Sequence, residues 1–190
     1  VVEDYDKFKI LGGTLDDAVG EAFDKVARVL GLNYPGGPNI EKLAREGKNN
    51  IEFPKMLKGV GGYNFSYSGL KTAVINYVHH ANQTGERVNE ADVACSFQHA
   101  ATDILVKKAI EAAKEYSLDT VTVGGGVAAN GYMRENLASA CAKCGLKLVL
   151  PEKILCTDNA AMIGAEGYVQ YLKGNFADLT LNAAARVDLG

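Results

Sequence analysis

The stretch TVTVGGGVAAN, residues 120–130, constrains this chain more than any other. Thr120, Val121, Thr122 and Val123 are β-branched and suit a pleated, half-buried strand. Gly124, Gly125 and Gly126 then remove every Cβ, which permits positive φ or a close approach of another body to the backbone. From Gly131 the apolar residues Met133, Leu137, Ala140 and Cys141 share one helical face. A further strand, Lys147 to Leu150, makes this a βαβ unit, so its strands are expected to be parallel with a right-handed crossover. Ligands of open α/β sheets sit at the carboxyl ends of strands, where these glycines lie. A tight strand-to-helix turn also needs glycine, so the run alone leaves a ligand site and a plain turn both open.

The rest of the chain supplies helices to cover such a sheet. Phe8–Leu11 reads as a strand broken by Gly12 and Gly13. Thr14, with Asp17 three residues on, has the form of an acidic capping box for a helix running to Leu30 and closed by Gly31. NYPGGP reads as a turn, followed by a short helix to about Glu46. Tyr63–Tyr67 alternates like a second strand, and Ser68 is placed to cap the helix GLKTAVINYVHHA. A long helix is expected from Glu90 to Tyr116 and a last one from Asp158 to Leu172. The small residues Ala160, Ala161, Gly164, Ala165 and Gly167 of that last helix suggest close packing. The expected architecture is α/β: a mixed sheet flanked by helices.

Charge and cysteine usage narrow the function. The net charge is −3 with both signs interspersed, which gives no footprint for strong autonomous nucleic-acid binding. The densest basic stretch, Lys42–Lys58, is diluted by Glu46 and Glu52. The sequence has no membrane-length apolar run and no signal-like start, and a cytoplasmic setting is expected. Val1-Val2 reads as the tail of a strand, so the chain is expected to be truncated. Cys141-x-x-Cys144 falls on a helix without a second pair or a nearby histidine, and buried reduced thiols are expected there. His79 and His80 are adjacent and point to different sides of a helix, so they cannot chelate as an i,i+4 pair would.

Three places look able to carry chemistry. Gly20 sits one turn before Asp24, and a mid-helix glycine costs about 1 kcal/mol against alanine, so something is expected to pack there within reach of Asp24. A surface ion pair of Asp24 with Arg28 is the plainer alternative. Asp158 follows Thr157 at a helix start, where a carboxylate is favoured by the dipole and can also ligate a hard cation. Ser66, Ser68 and Lys71 could contact phosphate, against the plainer roles of cap and solvated lysine.

Taken in order, LGGTLDDAVGEAFDKVARVLGLNYPGGP, FSYSGLKTA, GGGVAANGYMRENL and CTDNAAMIG resemble the tRNA N6-adenosine threonylcarbamoyltransferase family, formerly called O-sialoglycoprotein endopeptidase or glycoprotease. The blocks run over nearly the whole chain. The resemblance implies a ribonuclease-H-like lobe of the actin-like ATPase and sugar-kinase superfamily. On that reading residues 1–190 are the carboxyl-terminal lobe, with a helical insertion at about 14–58, most of its first strand missing and the amino-terminal lobe absent. It implies transfer of threonylcarbamoyl from threonylcarbamoyl-AMP to N6 of the tRNA adenosine flanking the anticodon. Substrate-contacting positions carry over to Asp24 in GEAFDK, Gly37 in YPGG, Glu41, Asn130, and Gly125 and Gly126 of the glycine run. Asp158 in CTDN matches a ligand of one divalent metal, iron or zinc; the family's catalytic residues are otherwise not assignable here. The implied partners are tRNA, a paralogous subunit of the same fold with a small ATPase, or a small protein kinase complex. The family's paired histidine ligands and Ser-Gly-Gly-His loop have no counterpart in the chain, so the fragment alone is expected to be inactive, to hold no metal firmly and to self-associate through an open sheet edge. A non-catalytic interaction lobe and a kinase or ATPase lobe of the same fold are the alternatives. The older glycoprotease label needs a zinc-protease helix such as His-Glu-x-x-His, and this sequence has none.

Overall fold

A computed structural model describes residues 1–54 and 62–183. Two short strands, β1 (Val2–Asp4) and β2 (Lys7–Phe8), pair antiparallel. Helices α1 (Val19–Val29), α2 (Gly36–Ala44), α3 (Ser68–Thr84) and α4 (Glu90–Glu115) follow. The βαβ unit is β3 (Thr120–Thr122), a 3-10 turn (Gly126–Ala129), α5 (Gly131–Lys143) and β4 (Lys147–Val149). A second 3-10 turn (Lys153–Leu155) leads to α6 (Ala160–Leu172). As the pattern of residues 120–150 requires, β3 and β4 are parallel, with Thr120 opposite Lys147 and Thr122 opposite Val149.

Two apolar clusters hold these elements. In the larger, α1 presents Ala22, Phe23, Val26 and Leu30 to α2, α3 and α4. Phe23 meets Phe97 of α4 edge to face, with ring centroids 5.0 Å apart; burying such a ring contributes about 1.5–3 kcal/mol. The smaller cluster packs Val106 and Ile110 of α4 with Leu137 and Cys141 of α5 against Val121 and Leu148 of the strands. Cys141 is thus a small buried hydrophobe whose thiol is pushed up by burial, and all four cysteines are free.

The structure corrects several local expectations. The first helix begins at Val19, not at Thr14. Thr14 Oγ1 donates to the Asp17 carbonyl at 2.7 Å, and the carboxylates beside it turn away to tertiary partners. Asp16 accepts from the backbone N–H groups of Tyr67 (2.7 Å) and Ser68 (3.2 Å) and from the Ser66 hydroxyl. Asp17 binds Lys25 at 2.7 Å and Lys71 at 2.6 Å. Asp16 therefore caps α3 from fifty residues upstream, while Ser68 is the first helical residue and makes no cap bond. These contacts occupy Ser66 and Lys71 with carboxylates, which removes the observation that made them phosphate candidates.

The expected strand Phe8–Leu11 ends at Phe8, and Tyr63–Tyr67 is reduced to one parallel bridge between Thr14 and Phe65. The sheet is accordingly two separate two-stranded ladders rather than one mixed sheet. Ile10 and Leu11 share with Val121, Thr122 and Val123 the lining of a slot of about 710 Å³, and among the described residues no strand pairs with both ladders. NYPGGP is a shorter turn than expected, since α2 already starts at Gly36. The last helix begins at Ala160 behind an Asn159 cap, leaving Asp158 outside it, and it buries none of its residues. Its Gly164 and Gly167 meet nothing within 4 Å, so among the described residues the expected close packing of α6 is absent. Residues 55–58 of the expected insertion, and Lys55 and Lys58 of the basic stretch, lie outside the described residues.

Candidate functional site

Gly36 brings the two walls of a cleft together. A Cβ there would stand 2.6 Å from Asp24 Cα and 2.8 Å from Ala27 Cβ, so only glycine lets α2 start against α1. Its N–H donates to Asp24 Oδ1 at 2.7 Å, which fixes the carboxylate at the junction of the two helices. Asp24 makes neither the surface pair with Arg28, its plainer alternative, nor any other ion pair among the described residues, whereas Glu21 and Lys25 pair at 2.7 Å. Gly37, one residue further, has open space around its α-carbon.

The facing wall is the glycine run. Gly125 has φ 86° and ψ 165°, a conformation that essentially only glycine adopts. Gly124 needs no such freedom and meets nothing within 4 Å, and a Cβ on Gly126 would touch only Thr157 Cγ2, at 3.8 Å. Gly20 faces the same wall: Val127 Cγ2 lies 3.7 Å from where its Cβ would be. That is ordinary contact distance, so Gly20 is not required by the protein's own packing, yet it lines the open space between the walls.

This space is a cleft of about 730 Å³. Asp24, Gly37 and Glu41 line it from α1 and α2, and Gly125, Gly126 and Asn130 from the glycine turn. The apolar part of the lining comes from Val19, Phe23, Pro35, Pro38 and Val127. Six positions named from separate parts of the sequence thus converge on one cleft. Asp158 is not in its lining; the exposed carboxylate follows Thr157, which is.

Asn130 is committed to the protein. Its Oδ1 accepts from Met133 N at 2.9 Å, capping α5, and its Nδ2 donates to Gln98 Oε1 of α4 at 2.8 Å. The residue is buried, so one amide hydrogen and a lone pair remain for any ligand. Glu41 Oε1 accepts from Arg45 at 2.7 Å and lies beside the first residue of α5, where the helix dipole favours a carboxylate.

Sequence reasoning missed the residues that hold these pieces. Arg134 of α5 donates through Nη1 to the Ala128 carbonyl (2.8 Å) and through Nη2 to the Pro151 carbonyl (2.6 Å), and it touches Cys156 Sγ at 3.7 Å. One guanidinium thereby ties the glycine turn to the segment that carries Lys153, Thr157 and Asp158. Gln98 has no local signal either, since its partner lies 32 residues away. For a metal, the described residues hold no group of three or more His, Cys, Asp or Glu. Asp158 by itself is not a donor set that retains a divalent cation. Among the described residues no helix is long and apolar enough to cross a membrane.

Comparison with known proteins agrees with the order of the motifs. The model of the tRNA N6-adenosine threonylcarbamoyltransferase family matches residues 1–165. Curated proteins of that name are similar over nearly the whole chain. The Moorella thermoacetica protein is 56% identical over 183 residues, covering 96% of this chain and 54% of that protein. The Clostridium perfringens protein is 50% identical over 190 residues, covering 100% and 56%. The Staphylococcus aureus protein is 49% identical over 188 residues, covering 99% and 55%. The chain spans about half the length of the curated relatives it matches. Among solved structures, T. kodakarensis HypF superposes with a TM-score of 0.61 at 25% identity, over 84% of this chain and 20% of that one. A full-length HypF structure gives 0.59 at 16% identity, over 82% and 20%, a likeness of fold.

Proposed function

Because the chain belongs to the tRNA N6-adenosine threonylcarbamoyltransferase family, we propose that it is the nucleotide-binding lobe of such an enzyme, acting on threonylcarbamoyl-AMP and tRNA. Residues 1–190 are then a carboxyl-terminal, ribonuclease-H-like lobe of the actin-like ATPase type, with α1 and α2 as its insertion. The observation that carries the reading is the convergence of Asp24, Gly37, Glu41, Gly125, Gly126 and Asn130 on one cleft.

In the transfer, the adenosine N6 amine bonds to the carbamoyl carbon, the carbon–oxygen bond to phosphate breaks, and AMP leaves with its electron pair while the amine loses a proton. The lobe contributes by positioning the adenylate. The backbone of the glycine run lies open to the nucleotide, Gly37 leaves it room on the other wall, and the Asp24 and Glu41 carboxylates offer acceptors to hydroxyl donors. Asn130 supports the site by holding α5 against α4 and has limited capacity left for direct contact. Asp158 would offer one carboxylate to a divalent metal, and the described residues hold no group that completes such a site. When bound, such a metal would supply positive charge beside substrate oxygens. The setting is cytoplasmic, and tRNA binding depends on the rest of the enzyme and its partner subunits.

Titration calorimetry with a non-hydrolysable threonylcarbamoyl-adenylate analogue, beside a tRNA transfer assay, tests this. The chain is expected to bind the analogue but to transfer nothing until the family's amino-terminal half is supplied. Absence of binding, or full transfer by the chain alone, would refute the reading.

A further inference from the structure

The charges lining the cleft are unevenly distributed. Its two carboxylates, Asp24 and Glu41, stand on the α1–α2 wall, and each already has a protein donor, Gly36 N and Arg45 respectively. Lys153 is the cation in the lining. Its ammonium makes no hydrogen bond and no ion pair among the described residues, so its charge is not spent on a neighbour. Its backbone, moreover, is held in place. Cys156 N donates to the Lys153 carbonyl at 3.2 Å, and Leu155 N to the Glu152 carbonyl at 2.9 Å. Arg134 fixes both ends of this segment through Pro151 and Cys156, and Thr157 seats it 3.8 Å from the Cβ position of Gly126. A lysine with a fixed backbone thus lines the cleft, on the segment that meets the glycine turn through Thr157.

We propose that Lys153 is a positioning residue for the phosphate of the bound adenylate, setting which end of the nucleotide faces the glycine turn. The inference rests on the nucleotide reading of the cleft. A phosphate against the α1–α2 wall would meet two carboxylates, whereas beside Lys153 it gains a charge-assisted hydrogen bond. The same ammonium favours AMP as it departs, because the phosphate gains negative charge when its bond to the carbamoyl carbon breaks.

The test compares AMP with adenosine as probes, by calorimetry on the purified protein and its Lys153→Gln and Lys153→Arg variants. Lys153→Gln is expected to weaken AMP about five- to tenfold, the size of a partly exposed charged contact, and to leave adenosine unchanged. Lys153→Arg restores AMP binding, and the preference of the wild type for AMP over adenosine falls as salt is raised. The lysine is exposed, so all three proteins should melt alike. Equal effects of Lys153→Gln on both probes, or no effect on either, overturn this inference while the nucleotide reading stands. Failure of the wild type to bind either probe overturns both.

Discussion

Removing the Asn130 side chain should unlatch α5 from α4. Asn130→Ala deletes the cap on Met133 N, which costs about 0.5–2 kcal/mol. It also leaves the buried Gln98 amide without its 2.8 Å partner, at about 1–3 kcal/mol. The two losses together place the variant about 1.5–5 kcal/mol below wild type. For a chain of this length each kcal/mol lowers the melting temperature by about 2–4 °C. Asn130→Asp is the informative control. Its carboxylate keeps the acceptor for Met133 N with a favourable dipole, and Gln98 can turn its amide to donate, so it should stay within about 1 kcal/mol. Urea titration at constant m measures both, and amide exchange should rise in the first turn of α5 for alanine only. A loss below about 0.5 kcal/mol for alanine, or equal damage from aspartate, would refute the latch.

The glycines separate turn from ligand. Gly124→Ala meets no protein atom and should melt like wild type while weakening the adenylate analogue, whereas Gly125→Ala should cost about 1–3 kcal/mol through its positive φ alone; an analogue affinity unchanged by Gly124→Ala would leave that glycine a plain turn residue. Acid should loosen the α1–α3 junction. Hydrogen bonds from Lys25 and then Lys71 hold the Asp17 carboxyl below its ordinary 3.8. Its contribution is therefore complete above that value and is lost as pH falls through the lowered one. Asp17→Asn should be less stable at neutral pH and lose less on acidification, as urea midpoints across pH 2–5 would reveal; parallel pH curves would contradict it.

The sequence carries the parts of this fold whose causes are local. The strand 120–122, the helix from Gly131 and the strand from Lys147 were legible because β-branching, glycine and 3.6-residue periodicity all act within a few residues. Gly31 likewise closes α1 with φ 70°. What failed had distant causes. Thr14 and Asp17 look like a capping box only until Lys71 claims the carboxylate. The strands around Ile10 and Phe65 read well by alternation, but a strand needs a neighbour on each edge it buries, and alternation says nothing about whether one is present. The small residues of α6 signalled packing that the described residues do not supply. In the cleft, motif order named residues of the lining, while Arg134 and Gln98 act through contacts no spacing rule anticipates.

The cap on α3 has a consequence for the order of events during synthesis. Most helices can close their first turn from residues already beside it. Here the acceptor for Tyr67 N and Ser68 N is Asp16, and bringing the two ends together closes a loop of about fifty residues. The entropy of that closure is about 3–4 kcal/mol, more than a capping bond returns. The bonds to Asp16 therefore form together with the rest of that junction, the Thr14–Phe65 bridge and the Asp17–Lys71 pair, and the Tyr67 and Ser68 amides report on docking. A nascent chain that has α3 in full, but not yet α4, should leave those two amides uncapped.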